Sequence, residues 1–444
     1  MKYSAYNIFS SIRESENYFI LNLLSGSADI LSPAEAEMID KLSRGHSLND
    51  PDFEKQLFSK GYISDAEQER ILFKEKYLAF LDEREKEEVQ VFFVPNYSCN
   101  FGCSYCYQDR YNNPSVSLSR EVTDSFFEYI SKEFAGRRKY LTLFGGEPLL
   151  NTPNQREAIS YFIGKTINAD IELCVVTNGY YLEEYLDLLR RVRIREIQVT
   201  LDGNREIHDK RRSLKGGGAT FDKIVRGIDK SLEYGLSVNL RMVIDKSNIN
   251  NLAGLASFAK NQGWTSNPLF KTQIGRNYEL HHCQSSPEQL FDRLSLYAKI
   301  FELAKMNPVI YEFHKPAYSV SRFLSENGEL PDPLFDSCPA CKTEWAFDYT
   351  GRIYSCTATV GNEADALGTF YPEQKLNTEL TERWQERDIT AIEKCRSCNL
   401  SLACGGGCAS VALNKSGNIL EPDCRPVKEL CSLGFSAYLC ENEQ

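Results

Sequence analysis

The chain has 444 residues, 42% hydrophobic and 25% charged, enough for about three domains around a sizeable core. Its net charge of −11 argues against a general nucleic-acid binder, which needs clustered Lys and Arg, and no run of about 18 apolar residues offers a membrane span. The stretch from Met1 to Phe9 lacks the basic-then-apolar order of a signal peptide, so a cytoplasmic protein is expected, and its fifteen cysteines then point to metal or redox chemistry rather than disulfides.

Tyr3 to Ser10, Asn17 to Leu24 and Ala28 to Leu31 read as three short strands. Ser32-Pro33-Ala34-Glu35 is a helix start, with Ser32 as cap and Glu35 reaching back to complete a capping box. A second helix is expected over Asp52 to Lys60, a short strand at Gly61-Tyr62-Ile63, and a long charged helix with a solvated face from Ser64 to Glu87. Strands followed by short helices resemble the small winged-helix peptide-recognition domain of many peptide-modifying enzymes; the bland alternative is a simple extension packed on the catalytic domain.

From here strand-like and helical runs alternate, as in a parallel α/β domain. Strands are expected at Val89 to Pro95, Tyr140 to Gly145, Ile171 to Thr177, Glu196 to Leu201, Leu236 to Ile244 and Pro268 to Ile274. Helices fill the gaps at Ser119 to Phe134, Leu182 to Val192 and Phe221 to Tyr234, and Ser286-Pro287-Glu288-Gln289 caps another that ends near Met306. Six β/α units suggest a partial barrel, which places its chemistry at the carboxyl ends of the strands.

At the end of the first such strand, Cys99, Cys103 and Cys106 form C-x3-C-x2-C within VFFVPNYSCNFGCSYCY. Three thiolates can hold three irons of a cubane and leave the fourth iron open; a zinc site would want a fourth ligand nearby. After the second strand comes Gly145-Gly146-Glu147-Pro148, where two glycines let the backbone approach a ligand and Glu147 offers an acceptor for an ammonium group. Thr177-Asn178-Gly179 and Thr200-Leu201-Asp202-Gly203 end later strands with groups able to bind ribose hydroxyls and a carboxylate, although each is also a common turn. Cys174 sits inside an apolar strand and reads as core; Cys283 beside His281 and His282 reads as an exposed loop rather than a metal site.

The C-terminal segment carries C-x2-C-x9-G-x4-C from Cys338, then C-x2-C-x5-C-x3-C from Cys395, then Cys424. These eight thiols suffice for two closed cubanes or for a pair of four-thiolate zinc sites. Cys431 and Cys440 belong to neither set.

The cysteine triad with Tyr105 before its last member resembles the signature of the radical S-adenosylmethionine (SAM) enzymes, and the series from Cys341 resembles their twin-cluster SPASM extension. The resemblance implies a partial (β/α)6 radical SAM barrel over 89–307, a connecting region over 308–337, a SPASM domain and tail over 338–444, and a winged-helix-like domain over 1–88. It implies three [4Fe-4S] clusters: Cys99, Cys103 and Cys106 on the first; Cys338, Cys341, Cys356 and Cys408 on auxiliary cluster I; Cys395, Cys398, Cys404 and Cys424 on auxiliary cluster II. Cys338 is nearer Cys341 than the family pattern has it, so an iron left open for substrate stays an alternative. SAM contacts are implied for Tyr105, Gly145, Gly146, Glu147, Thr177, Asn178, Thr200, Asp202 and Arg212, the last as a carboxylate ligand or an ion pair with Asp209; His208 and Asp209 follow Asp202 as in enzymes with extra clusters.

The implied reaction is reductive cleavage of SAM to a 5′-deoxyadenosyl radical that abstracts hydrogen from a ribosomally made precursor peptide with a leader, to form a thioether or carbon–carbon crosslink. A low-potential donor of flavodoxin or ferredoxin type would supply the electron, with no nucleic-acid or membrane partner. An anaerobic sulfatase maturase is the neighbouring alternative, although Thr357 stands where those enzymes use an aspartate. A small-molecule substrate is a further possibility, and a non-catalytic zinc scaffold is the alternative of another class.

Overall fold

The computed structural model describes residues 2–108, 111, 117–276 and 287–440. His281, His282, Cys283 and Ser286 lie outside the described residues.

Strands β1 (Lys2–Tyr3), β2 (Asn7–Ser11), β3 (Tyr18–Asn22), β4 (Ser27–Leu31) and β5 (Ile63–Ser64) build the N-terminal unit. β2, β3 and β4 form an antiparallel meander, while β1 pairs with β5, so the expected strand from Tyr3 to Ser10 is two strands with a turn between. The helix Pro33–Ser43 begins with the expected capping box of Ser32 and Glu35. Helices Pro51–Ser59 and Ala66–Lys86 follow, capped by Asp50 and Asp65.

The central strands are β6 (Val89–Val94), β7 (Lys139–Leu143), β8 (Glu172–Thr177), β9 (Ile194–Thr200), β10 (Val238–Ile244) and β11 (Phe270–Arg276). All six are parallel and paired in sequence order, each within a few residues of its expected position. Helices such as Arg120–Glu133, Leu182–Leu189 and Phe221–Glu233 cover the outer face, burying Phe126, Leu186 and Ile224 against Val91, Val175 and Val199. The helix expected from Ser286 begins instead at Arg293, where Asp292 accepts from Ser295 N at 2.8 Å, and runs to Met306.

The sheet does not stop at β6. β12 (Glu344–Asp348) lies parallel to β6, and β13 (Arg352–Tyr354), β14 (Ala366–Thr369) and β15 (Lys375–Leu376) continue it antiparallel, making ten strands. The cysteine-rich segment is therefore joined edge to edge with the barrel. No described helix is long and apolar enough to cross a membrane.

Candidate active site

Four loops meet at the carboxyl ends of β6, β7, β8 and β9. Gly146 takes φ +49° beneath the cysteine loop, where a Cβ would lie 2.5 Å from Ser98 O, so only glycine permits this approach. Glu147 N in turn donates to Ser98 O at 2.7 Å. The result is a cavity of about 320 Å³ lined by Cys99, Cys103, Cys106, Gly145, Gly146, Thr177, Asn178, Thr200, Tyr105 and Arg212, residues far apart in sequence.

Glu147 and Asp202 are absent from that lining; both are buried behind it. Glu147 accepts from Thr177 Oγ1 at 2.6 Å, Asn178 N at 2.6 Å and Leu149 N at 2.8 Å, so its carboxylate ties two loops together instead of facing the cavity as an ammonium acceptor. Burial raises its pKa, and these three bonds oppose the rise. Asp202 accepts from Tyr105 Oη at 2.6 Å and Val243 N at 3.0 Å, and Arg212 Nη1 donates to the same Tyr105 oxygen at 2.5 Å. Arg211 closes the network with bonds to Asp202 at 3.3 Å and to both oxygens of Asp245 at 3.0 Å.

The expected pairing of Arg212 with Asp209 is not formed. Asp209 accepts from Thr220 N at 2.8 Å and Phe221 N at 2.9 Å, holding the start of the helix that follows. His208 is fully buried; its Nδ1 accepts from Asp202 N at 3.2 Å and its Nε2 meets Thr220 Oγ1 at 3.1 Å. Burial, reinforced by Arg212, depresses its pKa to about 3, so it is neutral.

Burial and neighbouring charges raise several of the cysteine thiols. Burial pushes the Cys99 thiol up to about 12, with Glu147, Cys103 and Cys106 adding to the rise. Cys356 is likewise raised to about 12 by burial, then by Glu344 and Cys338; Cys338 also raises Cys341 and Cys408 after burial has done so. Burial and then Cys404, Cys398 and Cys424 raise Cys395 to about 11. Thiols packed this closely repel one another as thiolates and need a shared cation to ionise. Among the described residues no three His, Cys, Asp or Glu side chains converge on one ion site. Phe101 N donates to Cys99 Sγ at 3.4 Å, and Cys356 Sγ lies 3.3 Å from Ser410 Oγ, contacts of the kind that tune cluster ligands.

The second and third sets sit in different cores. Cys338, Cys341 and Cys356 pack with Trp345 and Tyr349 in the barrel core, whereas Cys395 and Cys404 pack with Ile8, Phe19 and Leu21 of the N-terminal meander. Cys431 is fully buried in that second core, and Cys440 packs against it.

Several functional-looking residues carried no spacing signal. Tyr107 lies in the cavity and donates to Thr357 O at 3.1 Å, and both Cys106 and Cys356 raise its pKa after burial, so it stands between the first and second thiol sets. Its place beside Cys106 was the available clue. Glu344 accepts from Thr357 N at 2.9 Å. Arg387 is fully buried and donates to the carbonyls of Gly406, Gly407, Ile419 and Glu421, bracing the loops that carry Cys404, Cys408 and Cys424. Cys174 is buried, as expected of the core, and with Val175 and Val176 of its strand it also lines a second cavity of about 390 Å³ inside the barrel.

Residues 93–259 match the Radical SAM superfamily. The chain is 28% identical over 249 residues to a GTP 3′,8-cyclase of Nautilia profundicola, covering 55% of this chain and 73% of the relative. It is 25% identical over 328 residues to a cysteine-type anaerobic sulfatase-maturating enzyme of Clostridium novyi, covering 70% and 85%. Among solved structures, anSMEcpe with bound AdoMet and Cp18Cys peptide aligns at TM-score 0.61 and 18% identity over 79% of this chain and 98% of its own. Streptococcus suis SuiB bound to S-adenosylmethionine aligns at TM-score 0.51 and 15% identity over 97% and 100%. At such identities these two structures show the shared fold alone. With the parallel half-barrel and the three-thiol cavity at its mouth, residues 93–259 of this chain form a Radical SAM superfamily domain, and a cysteine-rich C-terminal region follows it.

Proposed function

We propose that the chain is a peptide maturase of the radical SAM class, holding three [4Fe-4S] clusters on the three cysteine sets and modifying a ribosomally made peptide by hydrogen abstraction. The observation that carries this reading is the cavity into which Cys99, Cys103 and Cys106 all open beside Gly145, Gly146, Thr177, Asn178 and Thr200. A cluster with one iron free of protein ligands supplies, when reduced, the electron that splits SAM into methionine and the 5′-deoxyadenosyl radical.

The protein's own groups serve that chemistry by position. The Asp202–Tyr105–Arg212 chain fixes the aromatic ring expected beside the adenine. Gly145 and Gly146 present bare backbone to the methionyl end, and Glu147 stiffens the floor below. Tyr107 and Thr357 join this cavity to the Cys356 loop, which would hold part of a second cluster. SuiB with its precursor peptide SuiA aligns over 97% of this chain, which supports a peptide with a leader as substrate.

Anaerobically prepared protein should carry about twelve irons with matching sulfide. It should cleave SAM when reduced, and Cys99→Ala should abolish that cleavage. Cys395→Ala should spare some uncoupled cleavage while stopping peptide modification. Zinc without sulfide, or intact SAM after reduction with peptide present, would overturn the reading. A sulfatase-maturase reading is favoured by one observation: although Thr357 replaces the aspartate, Glu344 puts a carboxylate oxygen 2.9 Å from Thr357 N. Formylglycine formation on a sulfatase-derived cysteine peptide would decide for it.

A further inference from the structure

The two barrel cavities share a wall, and Arg241 stands in it. On β10, Asn239, Arg241 and Val243 alternate inward; Arg241 lines both the upper cavity with its cysteines and the deeper one. Every other arginine around these cavities has a partner. Arg195 reaches Glu88 at 2.5 Å and lies 4.1 Å from the Tyr140 ring centre, Arg212 holds Tyr105, and Arg276 donates to Phe291 O at 2.6 Å.

Arg241 makes no side-chain hydrogen bond or ion pair with the described residues; its Nε is buried and unpartnered, as is that of Arg212, whose Nη1 however holds Tyr105. The chain also makes room for this guanidinium: a Cβ on Gly275 of the neighbouring strand would sit 2.8 Å from Arg241 Nε. Arg241 is half-buried, and an unpaired guanidinium that opens onto a cavity can take an anion on its planar fork.

The rest of the deeper cavity fits one small anion. Gln90, Thr142, Gln198 and Gln273 line it with neutral polar groups, and its one carboxylate, Glu196, accepts from Asn239 Nδ2 at 3.2 Å. A triphosphate would need several cations, whereas the cavities offer one unpaired arginine and a carboxylate that would repel it. We propose that Arg241 is the substrate anchor of the barrel, binding a carboxylate that the peptide presents beside the residue to be modified: an Asp or Glu side chain or the chain terminus. The proposal rests on the peptide-maturase reading and names the substrate chemistry it lacks. At a net charge of −11 the long-range field repels acidic peptides, so a preference for them has to come from a local cation.

The test uses cluster-loaded protein with SAM and two fluorescein-labelled randomised decapeptide pools, read by anisotropy. One pool contains Asp and Glu with a free carboxyl terminus; the other replaces them with Asn and Gln and is amidated. Wild type should bind the acidic pool about tenfold or more tightly, as a charged hydrogen-bonded pair implies. Arg241→Gln should erase the preference, Arg241→Lys should keep part of it, and Gly275→Ala, which displaces the guanidinium but keeps the charge, should weaken it. SAM affinity should change by less than about twofold in Arg241→Gln, a shift too small to register a lost ion pair.

Equal binding of both pools, binding of neither, or a preference that survives Arg241→Gln overturns the proposal. So does a loss of SAM affinity matching the loss of peptide affinity, which would assign the guanidinium to the carboxylate of SAM. GTP binding tighter than either pool and abolished by Arg241→Gln also overturns it, in favour of a nucleotide. Wild-type SAM cleavage is followed separately, so that failure of the radical reading and failure of this anchor give different results.

Discussion

Tyr105 is gripped by opposite charges, donating to Asp202 and accepting from Arg212. Tyr105→Phe keeps the ring but strands both partners in a buried site. We expect a stability loss of about 1–3 kcal/mol and weaker SAM binding, measurable by urea denaturation and equilibrium dialysis. His208 makes a different kind of prediction, because its folded pKa of about 3 lies below the ordinary 6.5. Between those values the unfolded chain binds the extra proton, so stability rises with pH through this window and is lost as pH falls below about 6.5, by at most ~1.4 kcal/mol per pH unit. Denaturation midpoints from pH 4 to 7 should show that slope, and His208→Gln should flatten it; an unchanged slope would mean that His208 is not the group responsible.

Among the elements, the hairpin of β12 and β13 most directly sets a thiol. It turns at Gly351, with φ +87°, where a Cβ would lie 2.3 Å from Tyr371 O, and β13 then leads straight to Cys356. Gly351→Ala should strain this turn by about 1–3 kcal/mol and dislodge Cys356. Lower iron content with SAM cleavage retained is the expected outcome, since Cys99, Cys103 and Cys106 lie on another loop. The glycine of C-x9-G-x4-C was legible as part of a spacing, yet its reason lies in a carbonyl twenty residues further along the chain.

Over the whole molecule, the N-terminal unit is a wall of the C-terminal core. The meander places Ile8, Phe19 and Leu21 against Phe335, Cys395, Cys404 and Phe435, and Phe73, Tyr77 and Phe80 of the long charged helix surround Phe335. The expected solvated helix thus has an aromatic stripe, and the unit packs chiefly on the cysteine-rich segment. Deleting residues 1–88 should therefore uncover that core, lower solubility and release iron from the set of Cys395, Cys398, Cys404 and Cys424 before the others. A soluble truncated chain with full iron content would show instead that the unit is a separable module.

Periodicity located six parallel strands and their covering helices, and thiol spacing marked the cysteine-rich stretches while a family resemblance implied their division into sets, because both signals are local and repeat along the chain. The capping box at Ser32 was equally visible, since four consecutive residues contain all of it. Tertiary structure decided which way the polar groups at the strand ends face. Glu147 and Asp202 turn behind the cavity they were expected to line, Cys174 lines a cavity inside the barrel, and Arg241 emerges beside them with no motif to mark it. β12 to β15 escaped the strand reading because they are short and lie among cysteines, and they join the barrel through pairing with a strand some 250 residues earlier. Such directions depend on partners distant in sequence, and only the folded chain brings those partners together.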